Sequence, residues 1–344
     1  MDATLRRISA AVEARLQRLF EDDASLDPDE LFVRRPAPML LERVRDLTLR
    51  GGKRIRAAFV FSGARLVDPA AGDAPAVCDA AAAIELLHTY FLIHDDIMDE
   101  DLVRRGGPSV HVALAAATGS EKLGRDLAIL AGDLAASLHE RLVAGLDIAE
   151  DRRKRVAGLF ARMHADVIHG QTLDLLGSAA EEDVADHKTA SYTTVGPIAI
   201  GAALAGASFD DTARLAAIAR PIGIAFQLRD DLIGVFGDPA ATGKPRGSDL
   251  KSGKRTLLIQ EARRSAGGEG RAAIVAVLGR RSASEGEIAA AAAAIAATGA
   301  KRFCEERAAE LVTRALKDLD ASGFAAEGRA MIAHIARFAV SRET

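Results

Sequence analysis

Five carboxylates fall within seven residues, at Asp95, Asp96, Asp99, Glu100 and Asp101, one residue (His94) after the apolar and aromatic run Tyr90-Phe91-Leu92-Ile93. On a helix, Asp95 and Asp99 lie one turn apart and project from the same face. Two carboxylates so placed repel by roughly a few tenths of a kcal/mol when exposed, and by more when partly buried. The spacing therefore calls for something positive between them. Oxygen ligands with no accompanying cysteine point to a hard cation such as Mg²⁺. For Glu100 or Asp101 taken alone, a solvated helix end is the plainer reading. For Asp95 with Asp99, a helix that turns from apolar to acidic within one turn reads as the mouth of a pocket.

A second acidic pair, Asp230-Asp231, is set in the apolar stretch Ile222 to Phe236. Burying two carboxylates costs several kcal/mol, on the order of 3 or more, unless something compensates. Arg229 is one candidate for that compensation and a metal ion is another. Two such stations in one helical chain suggest acidic patches that share several metal ions.

A hard metal held by few carboxylates completes its shell with phosphate oxygens and water, and the chain offers cations for such a ligand. Gly51-Gly52-Lys53-Arg54-Ile55-Arg56 sets Lys53 and Arg56 three apart, on one face of a helix expected to begin after the glycines. Arg104-Arg105-Gly106-Gly107 follows the first station, Lys188-Thr189 is expected to open another helix, and Lys244 and Lys254 flank the glycine-rich loop after the second station. Helix starts and glycine loops expose backbone N–H groups that suit phosphate, and arginine adds bidentate contacts. The Gly51-Gly52-Lys53 stretch lacks the spacing and preceding strand of a nucleotide-binding P-loop.

The elements that must carry these groups are helices. Apolar residues recur at three and four positions, as in Leu5, Ile8, Val12, Leu16 and Leu19, or Val77, Ile84, Leu87 and Phe91. Strand-like alternation is almost absent. Breaks are expected at Glu21–Pro38, Pro69–Pro75, Arg105–Pro108, Gly177–Asp186, Gly237–Gly253 and Ser265–Gly270, none of them a convincing interdomain linker. The 344 residues therefore read as a single all-α domain spanning 1–344. Lys plus Arg number 45 against 49 Asp plus Glu, a net charge of −4, which gives no overall basic field for nucleic acid. Cys78 and Cys304 fit neither a disulfide framework nor a zinc spacing, and a reducing, cytoplasmic setting is expected. The start of the chain lacks the apolar core of a signal peptide, and no membrane span is expected because the longest apolar run, Pro197 to Phe209, is too short.

Taken in order, these motifs resemble the trans-isoprenyl diphosphate synthases, the polyprenyl synthetase family. The pieces are Gly51 to Arg56, then Asp95 to Asp99 with Arg104-Arg105-Gly106, Gly170-Gln171 with Asp174, Lys188-Thr189, and Phe226-Gln227 with Asp230-Asp231. The last runs from Gly243-Lys244-Pro245 through Gly253-Lys254-Arg255-Thr256. The motif-bearing part spans about residues 51–256. The resemblance implies an all-α homodimer with a cavity between helices in each subunit, and condensation of isopentenyl diphosphate with an allylic diphosphate. It further implies that Asp95 and Asp99 hold Mg²⁺ on the allylic diphosphate and Asp230 another ion, about three in all with Mn²⁺ an alternative. Asp96 and Asp231 would support those ligands. By the same resemblance Arg104, Lys188, Thr189, Gln227, Lys244 and Lys254 would grip the allylic diphosphate, and Lys53, Arg56, His88 and Arg105 isopentenyl diphosphate.

Two positions depart from the family pattern. Ala57 stands where the family often has Pro, and Gly234 stands at the fifth position of the second acidic motif, where Asp is usual. Phe91, four residues before Asp95, would lie on the same helix face about 6 Å below it, with Tyr90 to the side. In the resembling family, bulk at these positions goes with short products, so Tyr90 and Phe91 are expected to form a chain-length floor. That floor favours the C15 product, farnesyl diphosphate, with C20 geranylgeranyl diphosphate second. Of the rivals, a class I terpene cyclase usually carries an Asn/Ser/Glu triad at the second station and needs no second diphosphate site, so Asp230-Asp231 and Gly51 to Arg56 argue against it. A non-catalytic regulatory subunit typically loses aspartates or basic ligands, and both sets stand here.

Overall fold

The stripe Leu5, Ile8, Val12, Leu16 and Leu19 turns one face of helix α1 (Ala3–Ser25) inward, and all five side chains are buried. That pattern repeats along the chain in this computed structural model, which describes residues 3–25, 38–177, 181–237 and 246–341. The fold is all-α. Among the described residues the strands are β1 (Val103–Arg104) and β2 (Gly107–Pro108), an antiparallel pair with Arg104 opposite Gly107. The described residues fall into two compact units, Met1–Gly158 with Ile200–Ala207, and Leu159–Ala199 with Ser208–Thr344.

In the first unit, α2 (Pro38–Leu49), α3 (Ile55–Val67), α4 (Pro75–Met98), α5 (Val110–Thr118) and α6 (Glu121–Ala144) pack together with α1. Helix α4 is apolar on every side from Ala80 to Leu87 apart from Glu85, and it is buried there on every side, packed on α1, α3 and α6. It is long and apolar enough by composition to cross a membrane, but 67% of its apolar window is buried by neighbouring helices. A longer apolar stretch than Pro197 to Phe209 therefore exists, and it serves as a core helix. Helix α7 (Glu150–Leu176) and α9 (Gly196–Leu204) contribute residues to both units. Gly201 lies against the backbone of α3 at Val60 and Ala64, where any side chain would overlap the Val60 carbonyl.

In the second unit, α8 (Glu181–Val184) runs directly into a π-helix, Ala185–Val195. Helix α10 (Phe209–Phe236) packs on that π-helix; its N-terminus is capped by Ser208, whose hydroxyl accepts from the Asp211 N–H at 3.0 Å. After it come α11 (Ser248–Ser252), α12 (Leu257–Ser265), α13 (Gly268–Val277), α14 (Glu285–Ala297), α15 (Ala300–Asp320) and α16 (Ala326–Ser341), of which α15 packs most extensively on α10. Two expectations are corrected here. The break expected over Gly177–Asp186 is narrower, since residues from Glu181 onward are helical. Lys188-Thr189 lies inside the π-helix and does not open a helix. Each π-helical hydrogen bond spans one residue more than an α-helical one without breaking the bonding, so sequence punctuation does not mark it.

Candidate active site

The first acidic station stands at the C-terminus of α4. Asp95 and Asp96 occupy its last turn, and Asp99 is the capping residue, its N–H bonded to the Asp95 carbonyl at 2.8 Å. A helix C-terminus carries the negative end of the macrodipole, so clustered carboxylates there are unfavourable without cations. Arg104 supplies one. This residue is 7% exposed, and its guanidinium bonds Asp96 through Nε at 2.6 Å and Asp101 through Nη2 at 3.0 Å and lies 4.0 Å from Asp95. Asp96 is fully buried, and burial pushes its carboxyl up to about 6 against the pull of Arg104. Asp95 and Asp99 are half-buried. The expected metal pair thus sits at a helix end, with Asp96 turned inward to Arg104.

The turn that delivers Arg104 is a two-residue hairpin, with Arg105 at φ 51° and Gly106 at φ 71°. Positive φ at both central residues is the twist-matched hairpin turn, which normally favours Asn or Gly first. Arg105 is held there by its own side chain, whose Nη1 donates to the Leu47 carbonyl at 3.1 Å. Burial lowers its guanidinium to about 10, with Glu85 opposing that fall and Arg54, Arg56 and Arg104 adding to it.

Arg56 and His88 lie beside this turn in the same unit. Arg56 donates from Nη1 to His88 Nε2 at 3.4 Å, which leaves the ring proton on Nδ1. Burial, then Arg56, Arg105, Arg104 and Arg54, push His88 well below the usual imidazole range, so the ring is neutral at pH 7. Lys53 is exposed on the loop before α3. The expectation that Lys53 shares a helix face with Arg56 is corrected, because α3 begins only at Ile55 and Arg54 occupies its N-cap in a left-handed conformation.

Tyr90 and Phe91 are half-buried, with ring centroids 5.1 Å apart. Phe91 shares its face with Asp95. Tyr90 instead packs edge-on against His94 at 4.6 Å, and His94 Nε2 lies 3.2 Å from the Ile129 carbonyl of α6.

In the second unit, Asp230 is exposed and Asp231 buried. Gln227 donates from Nε2 to Asp231 Oδ1 at 2.6 Å and accepts a short bond from the Thr189 hydroxyl. Burial, and then the nearby Asp249, raise the Asp231 carboxyl well above the usual range. Lys188 pairs with Asp174 at 2.5 Å, and Lys254 lies 3.8 Å from Asp249. Arg229 lies 3.9 Å from Glu305 of α15. The π-helix sets Lys188 and Thr189, and Gly170 of α7 lies where a side chain would overlap the Lys188 backbone. Lys244 lies outside the described residues. Asp249, which no local sequence signal marks, is 8% exposed and fills the space beside Gly234.

Among the described residues no group of three or more His, Cys, Asp or Glu side chains is positioned to hold a metal by itself. Paired carboxylates one turn apart at a helix C-terminus still suit Mg²⁺, which keeps several waters and binds through one or two carboxylates plus phosphate.

Comparisons with known proteins place the chain in a family. The family model for polyprenyl synthetase matches residues 37–295. The chain is 37% identical over 274 residues to a geranylfarnesyl diphosphate synthase of Aeropyrum pernix, covering 77% of this chain and 82% of that one. It is 34% identical to a (2E,6E)-farnesyl diphosphate synthase of Mycobacterium bovis, covering 88% of this chain and 83% of that one. The structure superposes with a TM-score of 0.90 on geranylgeranyl pyrophosphate synthase from Corynebacterium glutamicum complexed with isoprenyl diphosphate and magnesium, at 34% identity and covering 99% of this chain and 100% of that one. On fold, motif order and sequence alike, the chain belongs to the polyprenyl synthetase family of prenyltransferases.

Proposed function

We propose that this protein is a Mg²⁺-dependent short-chain trans-prenyl diphosphate synthase, joining isopentenyl diphosphate to an allylic diphosphate with release of pyrophosphate. The observation that carries this reading lies within the first unit. There Asp95 and Asp99 stand at the negative end of α4 while Arg56 and Arg105 gather around a neutral His88. One cluster suits a metal-bridged diphosphate, the other a bare one.

Asp95 and Asp99 would hold Mg²⁺ for the allylic diphosphate, Asp230 would hold a further ion, and Asp96 and Asp231 would steady those ligands. Bound Mg²⁺ would neutralise the charge that develops on departing pyrophosphate. Lys188, Thr189, Gln227, Lys244 and Lys254 would each contact diphosphate oxygens, as would Arg104, which also fixes the acidic turn through Asp96 and Asp101. Lys53, Arg56, His88 and Arg105 orient isopentenyl diphosphate so that its double bond meets the allylic carbon as the C–O bond breaks. The apolar face of α4 around Phe91 excludes water that would quench the cation. Forming the new C–C bond leaves a tertiary carbocation on the isopentenyl unit; an adjacent carbon then loses a proton to released pyrophosphate, and the C–H electron pair becomes the double bond of the longer allylic product.

Relatives are named for farnesyl, geranylgeranyl and geranylfarnesyl products. Of these we favour farnesyl diphosphate, then geranylgeranyl diphosphate, on the bulk of Tyr90 and Phe91. Residues 1–344 act as one all-α domain, in a cytoplasmic homodimer. The test is incubation of purified protein with isopentenyl diphosphate, Mg²⁺ and C5, C10 or C15 allylic diphosphates separately, with dephosphorylated products sized by chromatography and mass. Prenyl alcohols ending at C15 or C20 support the reading; no elongation with any starter by folded protein overturns it.

A further inference from the structure

Arg54 lies between Lys53 and Arg56 and is 3% exposed, so it cannot reach a substrate as they do. It caps α3 from the left-handed region, φ 47° and ψ 37°, with no side-chain bond to the helix end. Caps favour Ser, Thr, Asp or Asn in extended conformation, so this backbone persists only because its surroundings over-determine it. The guanidinium does that. Nη1 donates to Glu85 Oε2 of α4 at 2.7 Å, Nη2 donates to the Thr48 carbonyl at 2.7 Å, and Nε faces Glu13 Oε1 of α1 at 3.5 Å.

Thr48 lies in the last turn of α2, where carbonyls have no partner within the helix. The carbonyl before it, Leu47, accepts from Arg105. Two arginines from separate loops thus hang on adjacent carbonyls at the negative end of one helix, a favourable place for cations. Glu85 answers both, pairing with Arg54 and raising Arg105 against its burial. Glu85 also precedes His88 by one turn of α4, and its carbonyl accepts from Thr89, whose hydroxyl lies 3.0 Å from that of Thr48. The loop bearing Lys53, the start of α3 bearing Arg56, the hairpin bearing Arg105 and the turn bearing His88 are therefore registered through one buried post.

We infer that Arg54, clamped between Glu85 and the α2 C-terminus, is a positioning residue for the second, non-allylic diphosphate, setting the cations around it without touching it. This rests on the proposed reading of Lys53, Arg56 and Arg105. The test is steady-state kinetics of the full-length protein with isopentenyl diphosphate varied at saturating allylic diphosphate and the reverse, alongside thermal unfolding. Arg54→Lys keeps the charge but loses the three-way contact; it is expected to raise KM for isopentenyl diphosphate about tenfold, with KM for the allylic substrate within about twofold. Removing both partners of a buried ion pair is tolerated better than removing one, so Arg54→Met with Glu85→Met is expected to fold and to keep the raised KM.

Equal loss in both KM values and kcat, tracking the folded fraction, would make Arg54 merely structural and overturn the proposal. So would a folded double variant, or Arg54→Lys, with unchanged KM for isopentenyl diphosphate. Lys53→Ala and Arg56→Ala separate the two levels. If they raise that KM and Arg54→Lys does not, the positioning role fails alone; if none does, the reading of the cation cluster fails with it.

Discussion

The Asp249 carboxylate lies against Gly234, in the space that a side chain at position 234 would occupy. Both residues belong to the second acidic station, with Asp231 close enough to Asp249 to feel its charge. A carboxylate expected from α10 at 234 is absent, and one from α11 stands in its place.

Gly234→Ala must displace that carboxylate, which is 8% exposed and has little room to move. Overpacking of this kind costs roughly 1–3 kcal/mol, and Gly234→Asp adds a like charge on top of it. Urea unfolding should rank wild type above Gly234→Ala above Gly234→Asp. A Gly234→Asp protein as stable as wild type would show that the site relaxes freely.

Arg104 is buried against Asp96, so removing it strands a buried carboxylate. Arg104→Met is expected to destabilise by about 3 kcal/mol or more, and Asp96→Leu in the same chain to recover most of that loss. A double variant no more stable than the single one, in the same denaturant titration, would contradict the pairing as the source of the effect.

His88 gives a pH dependence with a definite sign. Its ring is held neutral in the folded chain, while in the unfolded chain it takes a proton below about 6.5. The unfolded state therefore binds more protons as pH falls through that value, and stability declines there. His88→Gln should flatten the decline between about pH 6.5 and 5. Identical slopes for the two proteins would mean that His88 titrates normally when folded.

Phe91 shares the Asp95 face of α4, whereas Tyr90 is turned against His94 and α6. Phe91→Ala should lengthen the main product by at least one C5 unit, and Tyr90→Ala should do so less. Product sizing after exhaustive incubation checks both, and an unchanged length with Phe91→Ala would remove the floor.

Which features are legible in the sequence depends on whether their physics is local. Apolar periodicity discloses the long helices and the core face of α1, and one-turn spacing at an apolar-to-acidic change discloses Asp95 with Asp99. The glycine-flanked cations of Gly51 to Arg56 are visible because glycine and clustered charge are local signals. Hidden features depend on contacts distant in sequence. Nothing near Arg104 says that it faces Asp96, nothing near Arg54 names Glu85 as its partner, and Asp249 matters only because Gly234 leaves room for it. The π-helix at Ala185–Val195 changes hydrogen-bond partners without changing composition, which is why Lys188 reads as a helix start yet lies in a helix interior.

Asp95 and Asp99, on the proposed function, work through a divalent cation on a diphosphate, and a metal titration tests this. Initial rates of isopentenyl incorporation into geranyl diphosphate would be followed across a Mg²⁺ titration, for wild type, Asp95→Asn and Asp99→Asn. Wild type should be inactive in chelator and saturate with Mg²⁺, and each variant should need far more Mg²⁺ and lose about 100-fold or more in maximal rate. Elongation that persists in chelator, or variants that titrate like wild type, would contradict a metal role for Asp95 and Asp99.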